Sequence, residues 1–449
     1  MKIFNDLKLK FEHPDWSRNP EFGLIDTILT QHPELWEDVR ADITEGTTTL
    51  NFGRKDTPTV EQIMRAALYK ELKGLDYRGL EYAQSDSRIC TTFIKLDERK
   101  PFSFQLFQKY ISKISPESIQ TLLIGINRLA IEEGLEDIDS IRTDSTVVKS
   151  NIHYPTNNAL VWDCIKESHR LLARLSGQTE GLSFRDYRKS AKKNYYKINN
   201  TKSKDKRVDL FRKQLIVFTK AINQVDQVIR NPKKKAYNPN DLIILEELKN
   251  FLSTMRQVYD ITKRKELLGE KVPNAEKVFS IYESHTDIIE KGGREVEFGH
   301  KVQVTGGKSN LLLDCMVLDG NPADTTQYKQ GIDRIKEMYG HVPRNMAVDG
   351  GYASNENLGY AQETGIKNIV FNKVVGSLKS QATSKKMETM LKKWRSGIEA
   401  VISNYKRRFS MRICNWKGYK HFKAKVLWSA IAYNIRVLTR LVIARFQFG

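Results

Sequence analysis

Residues Ile138 to Val148 read as one β-strand set between two long stretches of helical sequence. Ile141, Thr143, Ser145 and Val147 fall on one face, with Arg142, Asp144, Thr146 and Val148 on the other. That is the two-residue period of an extended chain. A single strand leaves its backbone N–H and C=O groups unpaired, so strands elsewhere must meet them. Strand patterns resume only at about residue 277, after helical spacing from about 160 to 274. The early strand therefore has to join a sheet built by the last third of the chain, with the intervening helices as an insertion.

That last third alternates strand and helix. Val278 to Tyr282 is a strand candidate. Glu295 to Val304 sets Val296, Phe298, His300, Val302 and Val304 against polar neighbours, and Leu311 to Leu318 is nearly all apolar. A helix from Thr325 to Tyr339 stops at Gly340. Asn345 to Asp349 is a strand, Asn355 to Thr364 a helix ended by Gly365, and Ile366 to Phe371 a strand. A long helix from about Ser384 to Arg408 closes the series, and a last one covers about Phe422 to Phe446. Strands joined through single helices imply a partly parallel, right-handed sheet. Three meandering strands, then alternating helix and strand, then a closing helix, is the order of a ribonuclease-H-like α/β (α+β) core. Before it, Thr59 to Leu75, Tyr77 to Ala83 and Ile111 to Ala130 read as helices, the last started by Ser115-Pro116-Glu117. The expected organisation is a helical N-terminal domain over 1–130 that reads as DNA-binding, through a helix-turn-helix reader, or as a plain helical bundle; a core over 131–160 and 275–449; and a basic helical insertion over 161–274.

Composition narrows the partner. The 74 Lys and Arg residues outnumber 54 Asp and Glu, leaving a net charge of +20. Such a balance points to a polyanion, nucleic acid first. The apolar stretch Val426 to Phe446 is broken by Arg436, Arg440 and Arg445, which argues against a membrane span. The opening residues have no apolar signal-peptide core. Cys90, Cys164, Cys315 and Cys414 lie far apart, which argues against a zinc cluster and fits a reducing cytoplasm. Gly306-Gly307-Lys308-Ser309 lacks the first glycine of a phosphate-binding loop, because that position is Val302.

Basic residues gather with aromatics in two places. Arg185 to Arg207 interleaves Lys192 and Lys193 with Tyr187, Tyr195 and Tyr196, and Lys233-Lys234-Lys235 follows Pro232. Tyr405 to Lys425 mixes Lys406, Arg407 and Arg408 with Trp416 and Tyr419, which reads as a DNA-facing loop. Cations hold phosphates and rings stack on bases.

Two aspartates stand where such a sheet places a ligand. Asp144 is mid-strand, and Asp349 ends a strand in Ala347-Val348-Asp349-Gly350-Gly351-Tyr352. Two carboxylates brought together repel unless a cation lies between them. Magnesium suits oxygen donors and keeps open positions for water and phosphate. A third carboxylate is expected on the closing helix. There Arg395, Glu399 and Lys406 fall within about 40° of one another at 100° per residue, beside the apolar arc of Trp394, Ile398, Val401, Ile402 and Tyr405. His300 reads as a core histidine, Asp324 as an N-cap, His153 as a strand-exit or site residue, and Trp162 as an anchor of the insertion.

These stretches resemble the motifs of bacterial insertion-sequence transposases of the Asp-Asp-Glu type. Asp144-Ser-Thr-Val-Val-Lys-Ser-Asn-Ile-His-Tyr-Pro looks like their first motif, and Ala347-Val-Asp-Gly-Gly-Tyr-Ala-Ser like their second. Arg395-x-x-x-Glu399-x-x-x-x-x-x-Lys406 matches the signature around their glutamate; Lys392 stands where many relatives have tyrosine. Phe298-Gly-His-Lys-Val and Asn321-Pro-Ala-Asp324 are also similar. The resemblance implies Asp144, Asp349 and Glu399 as metal ligands for two Mg2+ ions, with Mn2+ as a substitute. Lys406 in this signature is expected to hold a flanking phosphate, and Arg395 to do likewise or to orient Glu399; the basic clusters add Arg407, Arg408, Lys192 and Lys193 as expected DNA contacts. Expected partners are the terminal inverted repeats of the element and target DNA, bound by a homodimer in a prokaryotic cytoplasm at the nucleoid. Two other readings use the same residues: a transposase-derived DNA-binding protein without catalysis, and a structure-specific nuclease of this fold. Metal-dependent nicking excludes the first, and strand transfer by a 3′-hydroxyl end excludes the second.

Overall fold

The computed structural model describes residues 16, 19–46, 57–96, 100–178, 182–230, 239–290, 295–372, 378 and 380–448. Lys233, Lys234 and Lys235 lie outside them. The chain forms two compact units, one of residues 1–149 and 289–449, the other of residues 150–288.

The first unit is built on a mixed sheet. Its strands include β1 (Ser140–Ser150), β2 (Glu297–Gly306), β3 (Leu312–Val317), β4 (Asn345–Asp349), β5 (Asn368–Asn372) and the two-residue β6 (Ile413–Cys414). β1 pairs antiparallel with β2, and β2 antiparallel with β3. On its other side β1 pairs parallel with β4, which pairs parallel with β5. The early strand is thus central, bonded on both edges to chain that follows it by some 150 to 200 residues, as the need to pair its backbone requires. Its polar residues are buried accordingly: the Thr143 hydroxyl bonds that of Thr305 across the β1–β2 pair at 3.1 Å.

Both sheet faces are covered. On one side Ile141, Leu313, Met346 and Val348 pack with Tyr328, Ile332 and Ile335 of helix Asp324–Tyr339 and with Ala361 of helix Asn355–Thr364. On the other, Val148, Val302, Val304 and Leu312 share a core with the N-terminal helices and with Trp428, Ile431 and Ile435. The N-terminal helices carry their own stop signals. Thr59 and Gln62 make a reciprocal capping box at the start of helix Val60–Lys73, and Gly74 ends it in the left-handed conformation. Ser115 caps helix Pro116–Glu132.

Helix Tyr419–Phe448 is long and apolar enough to cross a membrane by length and composition, yet its apolar window is 67% buried inside the protein. Its polar side chains find partners there. Arg436 pairs with Glu21 at 2.6 Å, and Lys425 pairs with Glu71. Asn434 accepts from the Leu312 amide and donates to the Leu312 carbonyl and to Asn127 Oδ1, each at 2.8 Å.

Two expected elements differ. Val278 to Tyr282 is not a strand; Val278 and Ile281, three apart, pack against the helical core of the second unit instead of entering a ladder. The closing helix is also not continuous. It runs Lys385–Arg395, breaks at Ser396, and resumes as Gly397–Arg408. At the break Arg142 of β1 donates to the Trp394 carbonyl at 2.5 Å, which occupies an acceptor at the end of the first half. A Cβ at position 397 would lie 2.3 Å from Arg142 Nη1, so only glycine leaves room for this approach.

The second unit is helical: Asn157–Gln178, Arg188–Asn200, Lys204–Arg230 and Pro239–Thr262 enclose Val161, Ile165, Phe218, Val225, Leu248 and Met255. Trp162 packs against this core, the second unit's own, and lies 6.3 Å from the Tyr195 ring. His169 is fully buried; its Nδ1 faces the Ile165 carbonyl at 2.7 Å, and its Nε2 accepts from the Tyr187 amide at 3.0 Å.

Candidate active site

The β1–β4 register ends with Thr143 opposite Val348, so Asp144 and Asp349 are the next residues on two adjacent parallel strands. On β1 the sheet continues past Asp144, which pairs with Val304 of β2. On β4 the ladder stops, and the chain turns through a single 3-10 turn, Gly350–Tyr352. This leaves Asp349 at the strand's carboxyl end with its side chain 41% exposed, while Asp144 is 19% exposed.

The third carboxylate comes from the second half of the broken helix. Glu399 lies in its first turn and is 60% exposed. All three acids meet one side chain, Arg395, the last residue before the break. Its Nη2 is 2.9 Å from Asp144 Oδ2 and 3.7 Å from Asp349 Oδ1, and its Nη1 is 2.9 Å from Glu399 Oε1. The two aspartate oxygens therefore lie within about 6.6 Å of each other, the sum of two of those contacts. The Arg395 side chain is only 4% exposed. Among the described residues, no group of three His, Cys, Asp or Glu side chains is spaced to hold a metal as it stands. The guanidinium lies among the acids instead.

The surroundings join motifs that the sequence showed only separately. Tyr352 follows the Asp349 turn and is 1% exposed. Burial pushes its hydroxyl well above the ordinary tyrosine range, and the charges of Asp324, Asp144 and Asp349 add to that. Asp324 is the first residue of its helix rather than its cap, and it pairs with Lys301 at 2.7 Å. Lys301 also donates to the Pro322 carbonyl at 2.9 Å. The stretches Phe298-Gly-His-Lys301-Val and Asn321-Pro-Ala-Asp324 are thereby joined beside the Asp349 turn, where a Cβ at Gly351 would lie 3.1 Å from Asp324 Oδ2.

Lys406 donates to the Thr146 hydroxyl at 3.3 Å, two residues along β1 from Asp144. Arg407 and Arg408 follow it on exposed positions. Lys392 pairs with Glu388 at 2.6 Å. In the second unit, Lys192 and Lys193 are exposed on helix Arg188–Asn200, and His153 contacts Asp163 at 2.5 Å.

The aromatics between Tyr405 and Lys425 turn inward rather than forming a DNA-facing stack. Tyr405 is buried and donates to the Val426 carbonyl at 2.7 Å. Trp416 stacks on Tyr77, and Tyr419 lies 4.9 Å from the buried His300 ring. Their apolar area is taken up by the helical core, while the cations Lys417 and Lys420 stay exposed. All four cysteines are free and buried.

Residues 276–435 match the family of transposase DDE domains. The matched span contains Asp349, Arg395, Glu399 and Lys406 and starts beyond Asp144. Searches among curated proteins and among solved structures returned no match.

Proposed function

We propose that this chain, whose residues 276–435 are a transposase DDE domain, is the transposase of an insertion sequence, cleaving the ends of its own element and joining them to target DNA. The observation that carries the reading is the meeting of Asp144, Asp349 and Glu399 around one cationic group, Arg395. The strand order β3-β2-β1-β4-β5, with a helical insertion after β1, supports a ribonuclease-H-like core.

The donor set fits divalent magnesium, with manganese as its substitute. It consists of hard carboxylate oxygens already gathered around a positive charge. Asp144, Asp349 and Glu399 are the residues that would hold two such ions. Bound there, the ions supply Lewis-acid stabilisation to phosphoryl transfer and a lowered pKa to an attacking water or 3′-hydroxyl.

The chain's own residues do the rest. Asp144 and Asp349 are fixed by two paired strands, so their spacing is set before substrate arrives. Glu399, on the rim, closes the set from the helix side. Lys406, Arg407 and Arg408 hold the phosphates flanking the scissile bond as point charges or forks. Lys192 and Lys193 supply further phosphate contacts from the second unit. A homodimer brings two element ends together, in the cytoplasm where the element's DNA lies.

The test is cleavage of a duplex carrying the inverted repeats that flank the coding region, with and without Mg2+. The proposal expects metal-dependent nicking at the repeat end, followed by transfer of the 3′-hydroxyl to a second duplex. Cleavage without any transfer supports a nuclease instead. Binding without cleavage, in either metal, supports a DNA-binding protein.

A further inference from the structure

We infer that Arg395 is a resident counter-cation, which competes with divalent ions for Asp144, Asp349 and Glu399 and holds down their cation affinity while DNA is absent. This rests on the reading that the three carboxylates hold ions.

Three features of the arginine carry it. First, its fork is spent on the acids: one terminal nitrogen contacts both aspartates and the other contacts Glu399. Second, it is nearly fully buried, with 4% of its side chain exposed, and its contact with Asp144, itself 19% exposed, is the least screened of the three; Asp349 and Glu399 meet more solvent. Third, its Nε is buried without a hydrogen-bond partner among the described residues. Arg142 Nε is likewise without one; what sets Arg395 apart is that its terminal nitrogens meet three carboxylates.

The charge balance gives the consequence. Three carboxylates and one guanidinium leave this group with two negative charges; without the guanidinium it has three. An entering cation therefore meets a weaker field and must share its oxygens with Nη1 and Nη2. A DNA phosphate offers Arg395 a planar, bidentate alternative. Because linkage is reciprocal, whatever draws Arg395 from the acids raises their cation affinity by the same factor. The free protein then carries a weakly loaded site, and DNA completes it.

The test is Mn2+ binding to the full chain without DNA, measured by isothermal titration and by loss of the free Mn2+ electron-paramagnetic signal. Arg395→Gln removes the charge and should bind Mn2+ about tenfold more tightly, within the usual range of coupling. Arg395→Lys keeps the charge but loses the fork, and should fall between wild type and Arg395→Gln. Unchanged or weaker binding by Arg395→Gln overturns the inference. If Asp144→Asn abolishes wild-type binding while Arg395→Gln changes nothing, the carboxylate site stands and the competition falls. If neither wild type nor Arg395→Gln binds Mn2+ at millimolar concentration, both fall. Far-UV circular dichroism checks folding. Should Arg395→Gln not fold, Arg395→Lys decides alone: tighter than wild type supports the inference, equal or weaker overturns it.

Discussion

Arg142 donates to the backbone carbonyl of Trp394 at 2.5 Å while its guanidinium lies 4.6 Å from the centre of that residue's indole ring. One side chain of the central strand thus grips the closing helix at its last turn. The break at Ser396 falls at this contact, one residue after Arg395. Asn310 takes a further bond from the same guanidinium.

Gly397 makes room for that grip. Gly397→Ala should therefore displace Arg142, at about 1–3 kcal/mol of stability, the usual cost of overpacking. Urea unfolding of the variant measures it. DNA cleavage should fall as well, because Arg395 and Glu399 move with the helix. A variant as stable as wild type would show that Arg142 does not need the space.

The carboxylates should separate binding from chemistry. Asp144→Asn and Asp349→Asn should each lower cleavage by more than about 100-fold, since even outer-shell partners of a metal site cost 10- to 100-fold. Affinity for duplex should hold within a factor of a few, measured by mobility shift. Equal losses in cleavage and binding would assign these residues to folding.

Asn434 tests how the last helix is held. Asn434→Leu leaves the buried Leu312 amide without its side-chain acceptor and Asn127 Oδ1 without its donor. The expected cost is about 1–3 kcal/mol. Thermal unfolding checks it, and a neutral result would mean that the network is dispensable.

Acid stability has a specific contributor in Asp42. Burial alone raises its pKa, but the Ser118 hydroxyl, the amide and hydroxyl of Ser115, and Lys420 together hold it below its ordinary value of 3.8. A carboxyl lowered in the folded state stabilises above the unfolded value, and that contribution disappears as pH falls through the folded one. The melting temperature of wild type should exceed that of Asp42→Asn at pH 6, and the gap should close below about pH 3.8. A gap independent of pH would refute the assignment.

Exposed Arg407 and Arg408 should act as phosphate contacts. Replacing either by Ala should weaken binding to any duplex and flatten the slope of log affinity against log salt by about 0.9. An unchanged slope would place both outside the interface.

Much of this arrangement was legible in the sequence because it rests on local signals. β4 reads directly as Asn345–Asp349, and Thr59, Gly74 and Ser115 mark helix ends by backbone chemistry that needs no distant partner. Asp349 stood out at the end of a strand that periodicity marks, and Asp144 as a carboxylate within the alternation of β1. What was not legible depends on contacts across long separations. The break at Ser396 falls at the contact with Arg142, more than 250 residues earlier. Nothing local distinguishes Gly397 from an ordinary helical glycine. The inward turn of Trp416 and Tyr419 follows from Tyr77 and His300 waiting in the core, whereas composition alone suggested exposed stacking. On its helical stripe Arg395 reads as a phosphate contact or as a residue that orients Glu399, and the Glu399 contact fits the second reading, whereas its burial against Asp144 and Asp349 is a property of the assembled sheet and helix.

The most direct measurement is anomalous X-ray scattering from Mn2+ in a crystal of the full chain with its element-end duplex. The account predicts manganese peaks bounded by Asp144 and Asp349, with Glu399 on the same side and Arg395 moved off the carboxylates. No manganese at these residues, with Arg395 still contacting all three acids in the DNA complex, would contradict it.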